Sequence, residues 1–277
     1  MIEDLKIYND YMSYEYVIVS PNADVSGGIL KKSDIDDIIN HPEIDSVRIM
    51  GLKQDTFEYF IQKYGQQFKA IYFFKNKAIK DLSLLSTLEK VEFIGYFHNQ
   101  GCDRLWDMSK NYALKGLSIN DFSKLRSIDD IATAPNLEFL DFGNMVWSTL
   151  VLDSLKPLTN TKLKYLTFSA KKIVDNDLTP IGNILTLEEL SFPTNLFEVE
   201  QIANITAKLE HLESHSLGAY HKIDNPIEWE TGNGIKMKDT FIHGKGKPFL
   251  DSNLDKNRIK KYVQEFEQML NKYKSDN

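Results

Sequence analysis

Eight times between Ile44 and Ser216 the chain repeats one six-residue pattern: an apolar residue, any two, an apolar residue, any one, an apolar residue. The copies IDSVRI, FKAIYF, LEKVEF, LKGLSI, LEFLDF, LKYLTF, LEELSF and LEHLES begin at Ile44, Phe68, Leu88, Leu114, Leu137, Leu163, Leu187 and Leu209. Their starts lie 24, 20, 26, 23, 26, 24 and 22 residues apart. On an extended chain the fourth and sixth positions point to one side and their neighbours to the other, while the first position adds an anchor as the chain enters the strand. A unit this small cannot bury its own apolar side, so successive units must stack and pair their strands in parallel. The intervening segments return along the outside, several with their own apolar register, as at Leu82, Leu84 and Leu85 or Leu125, Ile128 and Ile131. The pattern predicts an α/β solenoid: a curved parallel sheet of about eight strands with helical or 3-10 turns on its convex side.

Open ends of a stack expose apolar surface and unpaired strand edges, and need covers. Ahead of the first copy, YEYVIVS (14–20) reads as a strand, and Ser33 opens a short helix, SDIDDIIN. After the last copy, Gly232, Asn233 and Gly234 mark a turn, 235–243 reads as a strand, and 244–248 as another turn. A helix follows from about Asp255 to Lys274, with Ile259, Tyr262, Val263, Phe266, Met269 and Leu270 on one face. The expected layout is an N-terminal cap over 1–43, repeats over 44–217, and a C-terminal cap over 218–277 that includes the terminal amphipathic helix.

Composition narrows the function classes. No apolar run approaches the ~18 residues needed to cross a bilayer, which predicts a soluble chain without a membrane partner. The opening MIEDLKIYND has neither a basic nor an apolar signal region, and the lone Cys102 leaves no intramolecular disulfide. Both point to the cytoplasm. A net charge of −7 and a pI near 5.5 argue against nucleic acid, whose readers carry a basic footprint. Oligomeric state is not set by the sequence.

With phrases such as DLSLLSTLEKVEF and SLKPLTNTKLKYLTF, the repeats over 44–216 resemble the leucine-rich repeat superfamily, most closely its bacterial, internalin-like type. The tail, IHGKGKPFL followed by DKNRIKKYVQEFEQML, is similar to the C-terminal segment of bacterial proteins of this kind. The resemblance implies binding of another protein through the concave sheet. The superfamily's asparagine, three residues beyond the last strand anchor, recurs only as Asn76 and Asn195. Tyr96, Phe122, Met145 and Lys171 take that place elsewhere, with Leu52 and Leu217 at the ends, so an irregular coil is expected. Internalins are exported and anchored; those features are not read in this sequence, and adhesion to a host cell is not carried over.

Residues flanking the strand anchors define the candidate surface: Tyr72 and Phe74, Glu92, Phe139 and Asp141, and Tyr165. Exposed aromatics with acids nearby have the composition of a protein-binding hot spot. The small residues Gly116, Ser118, Gly143 and Ser169 leave room for a bulky element to approach. Tyr96, Phe97 and Trp147, in segments leaving the strands, widen the patch along one rim, whereas Leu105 and Trp106 are expected to turn inward.

Catalytic motifs are missing. His211 and His215 would lie about 13 Å apart on a strand, too far to share a metal. HGKGKP lacks a phosphate-wrapping arrangement, and Cys102 has no base at a fixed spacing. The sequence thus reads as a non-catalytic protein-binding scaffold with no cofactor and no metal, in a specific version an immunity-type or regulatory partner of another bacterial protein. Two alternatives stand beside it. One is an enzyme whose site lies near residues 96–106, with Asp103, His98 and Asp141 around a deep pocket; the other is a module that self-associates through its terminal helix.

Overall fold

The computed structural model describes residues 2–20, 29–147, 149–231 and 234–275. Helix α1 (Ile2–Asn9) is followed by a two-residue strand β1 (Val17–Ile18), a single turn α2 (Lys32–Ile35) that continues as 3-10 helix, and strand β2 (Ser46–Ile49). Helix α3 (Gln54–Tyr64) lies in the return segment between β2 and the next strand, burying Phe57, Phe60 and Ile61 behind the sheet. Strands β3 (Ala70–Phe74), β4 (Phe93–Asn99), β5 (Gly116–Phe122) and β6 (Phe139–Gly143) come next. The short β7 (Val151–Leu152) pairs with β9 (Lys172–Ile173) on the outer side, and β8 (Tyr165–Ser169) lies between them in sequence. The coil closes with the turn α4 (Thr179–Gly182), strand β10 (Glu189–Ser191) and helix α5 (Val199–Lys208).

Strands β1, β2, β3, β4, β5, β6, β8 and β10 form, in that order, one eight-stranded parallel sheet. The described parts of the return segments pass behind it, where Ile71, Phe73, Ile94, Leu117, Leu140, Leu166 and Leu190 point into one continuous core. This is the predicted architecture, with two changes in detail.

The eighth copy, from Leu209, makes no strand. Its serines instead bond to the last strand and the residue beyond it: Ser214 Oγ donates to the Leu190 carbonyl, while Ser216 Oγ accepts the Phe192 amide (2.9 Å) and donates to its carbonyl. His211 and His215 are accordingly not strand residues. The eighth strand is β1, from the segment read as a strand ahead of the first copy.

The third copy is displaced by three residues. Ile71 pairs with Ile94 and Phe73 with Tyr96, so the unit begins at Val91 rather than Leu88. Starts at 68, 91 and 114 are evenly spaced, and Asn99 falls in the asparagine position. Its side chain accepts the Gly101 and Cys102 amides (2.8 and 2.7 Å) and donates to the Ile79 carbonyl (3.0 Å). Asn76 does the same work one coil earlier, accepting the Leu52 amide and donating to the Ile49 carbonyl. Asn195, by contrast, is exposed.

Beyond the repeats, β11 (Tyr220–Thr231) and β12 (Gly234–Ile242) form an antiparallel hairpin to which β13 (Phe249–Leu250) adds a short third strand. Of the turn read at its tip, Gly232 and Asn233 lie outside the described residues. Ile227, Trp229 and Ile235 are exposed on the hairpin. At its root, His243 Nδ1 donates to the Gly218 carbonyl (2.8 Å), which leaves Nε2 to accept from His221 Nδ1 (2.9 Å). Helix α6 (Lys256–Ser275) packs on α5 through Phe266, Met269 and Leu270, with Lys274 paired to Glu210.

Candidate functional site: a covered groove and an open rim

The sheet face turned away from the core carries the aromatic residues singled out from sequence, but most of it is not solvent-exposed. Helix α1 and the following residues to Tyr14 lie across strands β3 to β6. Leu5 and Tyr14 join Ala70, Tyr72, Phe93, Phe97 and Phe139 in a second buried apolar cluster, with Ile2, Tyr8, Tyr11, Phe74 and Tyr165 packed at its edge. Local sequence explains the fit. Ile2, Leu5 and Tyr8 recur every three residues on α1, giving one apolar stripe, and glycines clear the floor beneath it. A Cβ at Gly116 would come within 2.4 Å of the Phe93 ring and 3.1 Å of Leu5, and one at Gly95 would overlap the Tyr72 ring. The bulky element admitted by small floor residues belongs to the chain itself.

The predicted exposure of this surface is therefore corrected. Tyr72 and Phe139 are fully buried, and Phe97 nearly so. The physical reason is the hydrophobic effect: a row of adjacent rings left in water is costly, and residues 2–14 remove it. Phe74 and Tyr165 remain half-buried. Tyr165 stacks on Phe139 at 4.2 Å, and Phe74 lies between Tyr11 and Phe97 at 4.7 and 5.2 Å. Tyr96 is on the other face altogether, in the core, with its hydroxyl donating to the Asn76 carbonyl (2.6 Å). The three-residue displacement of the third copy put it there and brought Phe93, Gly95 and Phe97 to the groove. Glu92, for the same reason, precedes the strand and pairs with Lys115 (3.2 Å).

Asp141 lies under the end of α1, where its carboxylate accepts from Asn9 Nδ2 (2.9 Å) and, more weakly, from Asn120 Nδ2 (3.4 Å). Burial raises its pKa, and hydrogen bonds from Asn9, Asn120 and Ser118 oppose that rise. Lys6 reaches the far end of the groove to pair with Glu189 (2.6 Å), and Arg48 Nη1 donates to the Tyr11 carbonyl (2.6 Å). Three polar atoms of this interface, Asn9 Oδ1, Arg48 Nε and Tyr72 Oη, are buried without a hydrogen bond of ordinary geometry.

At the C-terminal ends of the strands the arrangement differs. Lys75, His98 and Asp121, one per coil, adopt left-handed backbone conformations (φ 57°, 66° and 56°) that turn the chain off the sheet into the rim. The buried Asp121 carboxylate accepts the amides of Met145 and Val146 (both 2.9 Å) and Trp147 (3.3 Å). Asn144 Oδ1 accepts two further amides, from Thr149 and Leu150. This fixes the backbone while the side chains stay out: Met145, Val146 and Trp147 are 47%, 62% and 44% exposed. Trp147 rests on His98 at 4.6 Å and stacks over Phe97 at 6.2 Å. Of the predicted residues it is the large aromatic that remains in solvent. Asp121 escaped the sequence reading because its role is to hold another coil's backbone, which no local pattern announces.

Beside Trp147, a cavity of about 410 Å³ is lined by residues that include Ser169, Lys171 and Pro193. A second, of about 230 Å³, opens at the uncovered end of the sheet between Tyr165, Glu189, Glu213 and His215. Asp103, His98 and Asp141 share no pocket: Asp103 lines an outer cavity with Lys80 and Lys110, His98 sits at the rim, and Asp141 is under α1. Cys102 is buried, and burial pushes its thiol up to about 12, away from nucleophilic use. Among the described residues no group of three or more His, Cys, Asp or Glu is placed to hold a metal ion, and no helix is long and apolar enough to cross a membrane.

No protein-family model matches the sequence, and no curated protein matches it at the sequence level. Solved structures do match the fold. An internalin, InlF, of Listeria monocytogenes superposes with a TM-score of 0.53 at 17% identity, covering 75% of this chain and 55% of that one. A leucine-rich repeat protein of Leptospira interrogans superposes with a TM-score of 0.53 at 14% identity, covering 79% and 57%. The chain thus spans little more than half the length of either. With its stacked coils, asparagine pair and eight-stranded parallel sheet, the chain has the leucine-rich repeat fold seen in the bacterial internalins.

Proposed function

We propose that this protein is a non-catalytic scaffold that binds another protein along the rim at residues 144–147 and the adjoining open end of the sheet around Tyr165 and Glu189. The observation that carries this reading is the clamp of Asp121 on three consecutive amides, which holds Met145, Val146 and Trp147 exposed on an ordered backbone. Pre-ordered apolar side chains lose little entropy on binding, and tryptophan is enriched among residues that dominate interface energies. Glu213, in the cavity at the open end of the sheet, favours a partner that carries a basic group there. An immunity-type or regulatory role in the cytoplasm, masking a second protein, is the specific form of the proposal.

The test is retention of proteins from the native cell on immobilised wild type and on a Met145→Ala, Trp147→Ala double variant. A partner held by wild type and lost by the variant, with melting temperatures within a few degrees, supports the rim. Equal retention contradicts it.

A further inference from the structure

The groove beneath α1 resembles an interface more than a core. It forms its own apolar cluster, separate from the one that holds the coils together. The sheet's backbone ladder runs from β1 to β10 without α1, which is tied to the sheet through side chains: Lys6 to Glu189, Asn9 to Asp141, and Arg48 to the Tyr11 carbonyl. Its polar matching is incomplete, since Asn9 Oδ1 and Arg48 Nε are buried without a hydrogen bond. Each such group carries a desolvation cost that a better-matched occupant would avoid. An eight-residue helix is also marginal on its own, so α1 owes its order to the surface it covers.

From these features we propose that the groove is a receptor for a short amphipathic helix, and that α1 is its resident occupant, exchanged for a helix of the same chemistry on a partner protein. The chemistry is set by the seat. Leucine and aromatic side chains three residues apart fill the space over Gly116 between Phe93 and Phe139. A lysine one residue after the leucine meets Glu189. An amide or other donor a turn further on meets Asp141. A partner that also offers an acceptor to Arg48 Nε satisfies what α1 leaves bare. The groove shares Tyr165 and Glu189 with the open end of the sheet but uses none of residues 144–147, so this inference does not rest on the rim.

The experiment uses the full chain and a fluorescent peptide of its own residues 2–14 as the probe. In wild type the tethered α1 competes at a high effective concentration, and peptide binding is weak. In the full-length Leu5→Asp variant the resident helix is released, and the peptide binds at least ~10-fold more tightly. The milder Leu5→Ala shifts affinity in the same direction. Adding Phe139→Ala to Leu5→Asp, or Lys6→Glu in the peptide, removes the gain; Trp147→Ala leaves it unchanged. Equal binding to wild type and both Leu5 variants overturns the proposal. So does loss of cooperative unfolding in Leu5→Asp, because α1 would then belong to the folding core. A wild-type dimer that exchanges residues 2–14 between copies and binds no peptide overturns it in favour of self-association.

Discussion

Behind the sheet, Asn99 and Asn111 fill their hydrogen-bonding capacity. Asn111 donates to the Leu85 and Leu88 carbonyls and accepts from Trp106 Nε1, all between 2.8 and 3.0 Å. In front of the sheet, Asn9 Oδ1 and Arg48 Nε are buried with no hydrogen bond. Both regions are apolar and closed to water, yet the asparagines of the first are matched while the second leaves polar atoms at the helix contact unmatched. Complete pairing in a low-dielectric interior specifies a single arrangement, whereas partial pairing leaves free energy to be gained by rearrangement. The core is the part that must fold, and the groove is the part that can change occupants.

That contrast can be broken by mutation. The largest effect is expected for Phe73→Ala, which empties a site enclosed by Phe57, Phe60 and Tyr96: about 3–5 kcal/mol lost from the global unfolding free energy, read by denaturant titration. Phe139→Ala, equally buried but in the groove, should cost clearly less, because undocking of α1 limits what the rest of the sheet can lose. Equal costs would erase the distinction between the two regions.

Next in size is a pH effect at the hairpin root. Burial lowers the pKa of His243 to about 4 from an ordinary 6.5. The unfolded chain therefore binds a proton that the folded chain resists, and stability falls as pH drops from about 6.5 towards 4, by up to about 3 kcal/mol. His98 and His221, also lowered by burial, act in the same direction. Urea midpoints at pH 7.5 and 5 test this, and a flat profile would contradict the burial of His243 as a neutral ring. Smaller again is Leu5→Ala, expected to cost about 2 kcal/mol in helix docking with little change in the unfolding of the repeats. Smallest is Trp147→Ala, within about 1 kcal/mol of wild type because the ring is largely in solvent, which separates binding from stability at the rim.

Most of the scaffold was legible because the repeat pattern is a direct record of strand alternation. The one displaced copy shows the limit. Strand β4 is buried on both sides, so LEKVEF and the overlapping VEFIGY satisfy the same apolar pattern, and alternation cannot choose between them. The uneven spacings of 20 and 26 residues on either side were the available signal; a start at Val91 makes both 23. Tyr96 and Glu92 were misplaced by that slip, and Phe97 went from the rim to the buried groove, while Trp147 stays exposed at the rim. The covering of the groove was harder to read. The three-residue recurrence of Ile2, Leu5 and Tyr8 announces an amphipathic helix, but nothing local states which surface it seeks. Only the pairing of that stripe with an aromatic face too large to stay wet joins the two.

Hydrogen exchange of the unmodified chain at neutral pH reads the central claim without any substitution. If α1 is a docked occupant and the sheet is the folded frame, the helix-bonded amides of residues 6–9 exchange at least ~100-fold faster than those of Ile71, Ile94 and Leu117, through an opening that leaves the strands protected. Protection of α1 equal to that of the strands would contradict the account, because helix and sheet would then open only together.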